Sequence, residues 1–119
     1  MIHRLVLNGR VPGKKDNMHP RADRKGYYLD PRDAADIQAL MWQARSQWAG
    51  RGAIQETRNI VASFSVLNGR SDLDSKYTTT QDLLVKARVL QNDSIARVKR
   101  FSTSAEISDV EAVVIEIED

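Results

Sequence analysis

Asp72 and Asp74 stand two residues apart in the run Arg70-Ser71-Asp72-Leu73-Asp74-Ser75-Lys76, and Asp93 follows in Asn92-Asp93-Ser94. At the end of an extended strand, residues i and i+2 point to the same side. The two carboxylates can therefore offer their oxygens to one point. Hard oxygen donors of this kind suit Mg²⁺, which takes one or two carboxylates and fills its remaining positions with water and phosphate. On a phosphodiester, such an ion activates water and relieves charge on the phosphate and the leaving oxygen. The competing reading is that Asp74 or Ser75 caps the following helix and the acids are simply solvated.

The elements that must position the pair can be read from pattern. Glu56 to Leu67 reads as the longest strand, with Ile60, Ala62, Phe64 and Val66 alternating with Val61, Ser63, Ser65 and Leu67. Apolar residues on both sides make it a central strand. Asn68-Gly69 turns the chain into the acidic motif. A helix from about Ser75 to Arg88 follows, with Leu73, Tyr77, Thr80, Leu84 and Ala87 on its buried face and Asp82 as a structural or solvated acid. The motif thus falls between a strand end and a helix start, where both elements can fix its side chains. Val89-Leu90 then packs the return to Asn92-Asp93.

The rest of the chain completes one domain, residues 1–119. Ile2 to Leu7 reads as a strand, and His3 as an ordinary strand residue. A loop then runs from Arg10 to about Leu29. It carries Arg10, Lys14, Lys15, Arg21, Arg24 and Lys25 against Asp16 and Asp23. Connections of this length are usually functional or disordered, and this one's basicity favours phosphate contact. Tyr27-Tyr28 can stack on bases or anchor the loop's return. Asp30, Pro31, Asp33 and Asp36 open a first helix, whose apolar face is Ile37, Leu40, Met41, Ala44 and Trp48; Gly50 and Gly52 stop it. Ile95 to Ser102 reads as a strand bearing Arg97, Lys99 and Arg100. Val110 to Glu118 reads as an edge or one-faced strand with Val113, Ile115 and Ile117 on one side. The order strand, helix, strand, helix, strand, strand predicts an α+β (mixed α/β) fold, a four-stranded sheet covered by two helices.

Composition narrows the function classes. The chain has 119 residues, 29% charged and 41% hydrophobic, which suits one globular domain. It has no cysteine, which removes disulfides, thiolate metal sites and a cysteine nucleophile. No Ser/His/Asp set and no phosphate-cradling Gly-x-x-x-x-Gly-Lys loop is present. No apolar run reaches membrane-span length and the N-terminus lacks a signal-peptide core, so the cytoplasm is the expected compartment. Residues 1–70 carry twelve Lys/Arg against six Asp/Glu, while residues 71–119 carry six against ten. A basic half with acids embedded for metal is the layout a nuclease needs.

The stretch from Arg70 to Asp93 resembles the signature of RusA-type Holliday junction resolvases, the crossover junction endodeoxyribonucleases. That family reads Asp-x-Asp-Asn, then a helix with Asp-x-Leu, then a second acidic pair. Here the residues are Asp72-Leu73-Asp74-Ser75, Asp82-Leu83-Leu84 and Asn92-Asp93. Gly9-Arg10-Val11-Pro12-Gly13-Lys14-Lys15 is similar to the family's glycine, proline and lysine segment after the first strand. The resemblance implies that Asp72, Asp74 and Asp93 are catalytic carboxylates holding Mg²⁺, or Mn²⁺ in its place. It implies a homodimer making paired nicks in four-way or branched DNA during recombination and repair, in a phage or prophage setting. Lys14, Lys15, Arg21, Arg24, Lys25, Arg70, Arg97, Lys99 and Arg100 would grip the DNA backbone.

Three positions depart from the pattern: Ser75 for asparagine, Thr78 for a lysine, and Asn92 for an acid. Lys76 is the nearby ammonium that can stand in for the missing one at the phosphate or leaving group. Residues two apart on a regular helix do not share a face, so this needs an irregular first turn. Two other functions stay open: a junction-binding homologue that cuts poorly, and an unrelated small nucleic-acid-binding or protein-interaction domain.

Overall fold

The computed structural model describes residues 1–13, 18–20, 27–29, 31–69, 73–91 and 98–119, with the backbone alone at 18–20, 27–29 and 74. In chain order the elements are β1 (Ile2–Asn8), β2 (Met18–Pro20), β3 (Tyr27–Leu29), α1 (Pro31–Trp48), β4 (Asn59–Val66), α2 (Leu73–Lys86), β5 (Phe101–Ile107) and β6 (Ala112–Glu118). Four strands form the main sheet in the order β1-β6-β4-β5, and two helices complete an α+β domain. β6 runs antiparallel to both β1 and β4, while β5 is parallel to β4. β1, β4 and β5 therefore point the same way, and their C-terminal ends share one edge of the sheet.

Period-two burial explains the core. Leu5 and Leu7 of β1, Val113, Ile115 and Ile117 of β6, and Ile60, Ala62 and Phe64 of β4 face one side and are buried. Leu40, Ala44 and Trp48 of α1 and Leu83 and Leu84 of α2 close over that side. Their three- and four-residue spacing puts them on one stripe of each helix. Each fully buried aliphatic side chain of this kind contributes about 1.5–3 kcal/mol of transfer free energy. The opposite face of the sheet carries small and hydroxyl residues, with Val114, Ser63 and Ser104 in register across β6, β4 and β5.

α1 also seals an edge. Gln43 and Gln47 lie four apart, on one face of the helix. The Asn8 and Val6 N–H groups donate to the Gln43 and Gln47 Oε1 atoms at 2.7 and 2.9 Å. The amide Nε2 groups donate back to the Asn8 and Val6 carbonyls at 2.8 and 2.6 Å. The two glutamines satisfy the backbone groups that an edge strand otherwise leaves as a template for pairing.

Four expectations change. The segment read as a structureless loop contains the β2–β3 ribbon, paired Met18 to Leu29 and Pro20 to Tyr27. Three-residue strands are too short to show an alternation. The strand expected over 95–102 is β5, which starts at Phe101 and runs to Ile107. Residues 92–97 lie outside the described part, Val98 makes one bridge to Thr57, and Lys99 and Arg100 precede the strand. Ala105 and Ile107 on the core side of β5 are exposed, so its sequence lacks apolar alternation. β6 is no edge strand, since β1 and β4 flank it. Its alternation marks burial on one face, not an open side. On α2, Leu73 is exposed, while Ser75, Lys76 and Thr79 are buried beside the expected Thr80, Leu84 and Ala87. No helix among the described residues is long and apolar enough to cross a membrane.

Candidate functional site

The shared C-terminal edge of β1, β4 and β5 gathers the residues of interest. In open α/β sheets ligands bind beyond the carboxyl ends of parallel strands, and β4 and β5 are such a parallel pair here. β1 leaves the sheet through Gly9, whose φ of 129° is a conformation only glycine adopts readily. The Gly9 N–H is fixed to the Glu111 carbonyl at 3.0 Å. Val11, Pro12 and Gly13 follow, all buried. β4 leaves by the same edge through Asn68-Gly69, and α2 begins at Leu73.

Two side chains one helical turn apart tie these exits together. The Lys76 Nζ donates to the Val11 carbonyl at 2.7 Å. The Thr79 Oγ1 donates to the Pro12 carbonyl at 2.7 Å, and both bonds are buried. Positions i and i+3 share a helix face, so α2 holds the 11–12 segment as a clamp would. The Gly9–Gly13 segment and the helix carrying Asp74 are thereby adjacent, although some 65 residues separate them in sequence.

Arg10 fixes the same segment to α1. Its guanidinium donates to the carboxylates of Asp33 and Asp36, the latter at 3.0 Å. Burial works against the guanidinium's charge, yet the hydrogen bonds and attraction of the two acids hold its pKa above the ordinary value. Asp33 lies in the first turn of α1, where the helix dipole also favours a carboxylate. Both helices therefore start at this edge, and both direct their positive ends toward it.

A cavity of about 250 Å³ opens here, lined in part by Val66, Asn68, Leu73, Lys76 and Glu106. Lys76 is 5% exposed, so its stem forms wall while its ammonium donates to the Val11 carbonyl. The helix is already regular at Leu73, so Lys76 reaches this position without the irregular first turn. Ser75, where the resembled pattern has asparagine, is fully buried, and its Oγ has no hydrogen-bond partner among the described residues.

The remaining expected residues divide into two groups. Arg70, Asp72, Asp93, Arg97, Lys14, Lys15, Arg21, Arg24 and Lys25 lie outside the described residues, as does the side chain of Asp74. Lys99 and Arg100 are exposed at the opposite edge of the sheet. The Lys99 Nζ is 3.6 Å from Glu56, its N–H donates to the Thr57 carbonyl, and the Arg100 carbonyl accepts from Ile60. An eight-residue strand at about 3.3 Å per residue separates them from the β4 exit, roughly 26 Å away. Gln91 and Val98, which bound the segment holding Asp93, are likewise held against Ile54 and Thr57 at that far edge. Among the described residues, no three His, Cys, Asp or Glu side chains gather as a metal site.

Two features escape a reading of pattern. Glu106 lines the cavity from the end of β5, inside a strand whose alternation is hidden. The Arg10–Asp33–Asp36 cluster joins positions 23 and 26 residues apart. Its one sequence signal is an acid in the first turn of a proline-started helix. Neither a protein-family model nor a curated protein matches this chain.

Proposed function

We propose that the chain is a metal-dependent endodeoxyribonuclease of the RusA type, nicking four-way or branched DNA in pairs during recombination and repair. The observation that supports it most is the Lys76–Val11 and Thr79–Pro12 clamp. It makes neighbours of the two stretches that carry the resemblance, at the carboxyl end of the parallel strands β4 and β5. Asp72 and Asp74 would hold Mg²⁺ or Mn²⁺, and two carboxylates are as many as Mg²⁺ usually takes. Oxygen-only donors at a strand-to-helix junction fit these ions. The bound ion would supply an activated water and charge relief at the phosphate. The protein's own part is placement. The helix N-termini face a polyanion with their positive ends, the clamp fixes α2 against the Gly9–Gly13 turn, and the basic 14–25 segment follows directly from it. The partners are branched DNA and a second copy of the chain, in the cytoplasm of a phage or prophage host. For a dimer surface, β6 is internal and Trp48 is buried, while Trp42 is 53% exposed.

A second reading draws on one observation. The Lys76 ammonium is bonded to a backbone carbonyl, and Thr78 carries no charge. If that bond keeps the ammonium from the leaving oxygen, the chain binds junctions and cuts them slowly. Nicking of a synthetic junction with and without Mg²⁺ tests the first reading. A Thr78→Lys variant that cuts faster at unchanged affinity favours the second.

A further inference from the structure

At the pole opposite the Asp-x-Asp exit, α1 and α2 end side by side. The Arg45 Nη2 of α1 donates to the Lys86 carbonyl of α2 at 3.1 Å. Between the two helix ends and the loops that follow lies a concavity of about 690 Å³, with Arg45, Arg51 and Arg88 on its wall and Trp48, Val85 and Leu90 among its apolar lining. The segments that build it, 37–55 and 83–91, contain Arg45, Arg51, Lys86 and Arg88 and no carboxylate.

Two of the guanidiniums are oriented by stacking. Arg45 lies over the Trp42 ring at 4.9 Å and Arg51 over the Trp48 ring at 5.2 Å. Arg51 also bonds the His3 Nδ1 at 3.3 Å. A guanidinium has five N–H donors, so these contacts fix each plane and leave donors over.

Arg88 is held differently. The Val89 N–H reaches the Leu84 carbonyl at 3.0 Å and the Arg88 N–H reaches the Val85 carbonyl at 3.0 Å. This is the Schellman ending of a helix, with Val89 packed as its apolar plug and Arg88 in the left-handed position at φ 61°. Glycine is the favoured residue there, and a side chain adds strain. The negative helix ends attract cations, which accounts for part of the charge. Ala49, just after α1, is also left-handed at φ 56° and carries no charge, so what sets Arg88 apart is an exposed guanidinium on the wall of the concavity.

We propose that Arg51 and Arg88, with Arg45 as their support, bind backbone phosphates of a DNA arm. α2 rises about 1.5 Å per residue, which places Arg88 about 21 Å from Asp74. At about 3.4 Å per step, that is some six base pairs along a duplex laid beside the helix. The inference rests on the reading of the chain as a branched-DNA nuclease, and it gives that enzyme a ruler for arm length.

The test uses the full chain and two synthetic four-way junctions, one with arms of about twenty base pairs and one with arms of about five, shorter than the span estimated above. Arg88→Gly and Arg51→Gln are compared with wild type by fluorescence anisotropy across a salt series in Ca²⁺. Arg88→Gly removes the strain, so its melting temperature rises and misfolding cannot explain a loss. Affinity for the long-armed junction should fall about tenfold, with a salt slope shallower by about one per cation removed. Affinity for the short-armed junction should fall far less. Wild-type affinity and slope on long arms in both variants would overturn the proposal and leave the nuclease reading intact. If wild type itself binds neither junction in a salt-dependent way, both fall together.

Discussion

The Lys76 ammonium lies 2.7 Å from the Val11 carbonyl oxygen, buried between the helix after the acidic motif and the turn after the first strand. Removing one partner of a buried, charged hydrogen bond leaves the other without solvent. Lys76→Ala should therefore cost about 2–4 kcal/mol of stability in urea unfolding. Thr79→Val, which strips the neighbouring hydroxyl and leaves the Pro12 carbonyl unpaired, should cost about 1–2 kcal/mol. Wild-type stability in both variants would mean that the 11–12 segment is not held by α2.

Gln43 and Gln47 should act on association more than on stability. Their bonds to β1 are partly solvated, so Gln43→Ala with Gln47→Ala should cost only about 1–2 kcal/mol. The variant uncovers the Val6 and Asn8 backbone groups. Sedimentation should then show concentration-dependent self-association beyond that of wild type. A double variant that sediments as wild type at all concentrations would show that the edge needs no cover.

Asp119 accepts from the His3 Nε2 at 3.0 Å, and this bond, with the N-terminal ammonium, holds its carboxyl below the ordinary 3.8. A depressed folded pKa stabilises the fold above the unfolded value and is lost as pH falls through the folded one. The stability of wild type should thus fall more steeply than that of Asp119→Asn below about pH 4. Parallel acid limbs for the two proteins would show that the pair contributes nothing.

The phosphate contact proposed for the basic segment has its own signature. Replacing Lys14 and Lys15 together by Ala should weaken junction binding uniformly and make the salt slope shallower by nearly two. An unchanged slope would remove the segment from the interface and shift the grip to other cations.

The fold was legible where burial has a period. Ile60, Ala62 and Phe64 in β4, and Leu40, Ala44 and Trp48 in α1, are where alternation and helical spacing place them. The turn at Asn68-Gly69 and the start at Pro31 follow from backbone preference. What stayed hidden depends on partners far away in the chain. The burial of Lys76 is decided by a carbonyl that no pattern encodes, whereas its spacing from the acids offers it to the phosphate or leaving group. The glutamine pairs to β1 and the Arg10–Asp33 link are hidden for the same reason. β5 was misplaced because an edge strand with exposed ends lacks the alternation that a covered strand shows.

The most direct measurement is nicking of a synthetic four-way junction by wild type and Asp74→Asn, in Mg²⁺ and in EDTA, with binding followed separately in Ca²⁺. The substitution keeps the size of a side chain in the first turn of α2 and replaces the carboxylate proposed to hold the metal. The expected result is paired nicks by wild type that require Mg²⁺. Asp74→Asn should give none while its junction affinity stays near wild type. Cleavage by Asp74→Asn at the wild-type rate, or no Mg²⁺-dependent cleavage by wild type at all, would contradict a metal held at the β4 exit.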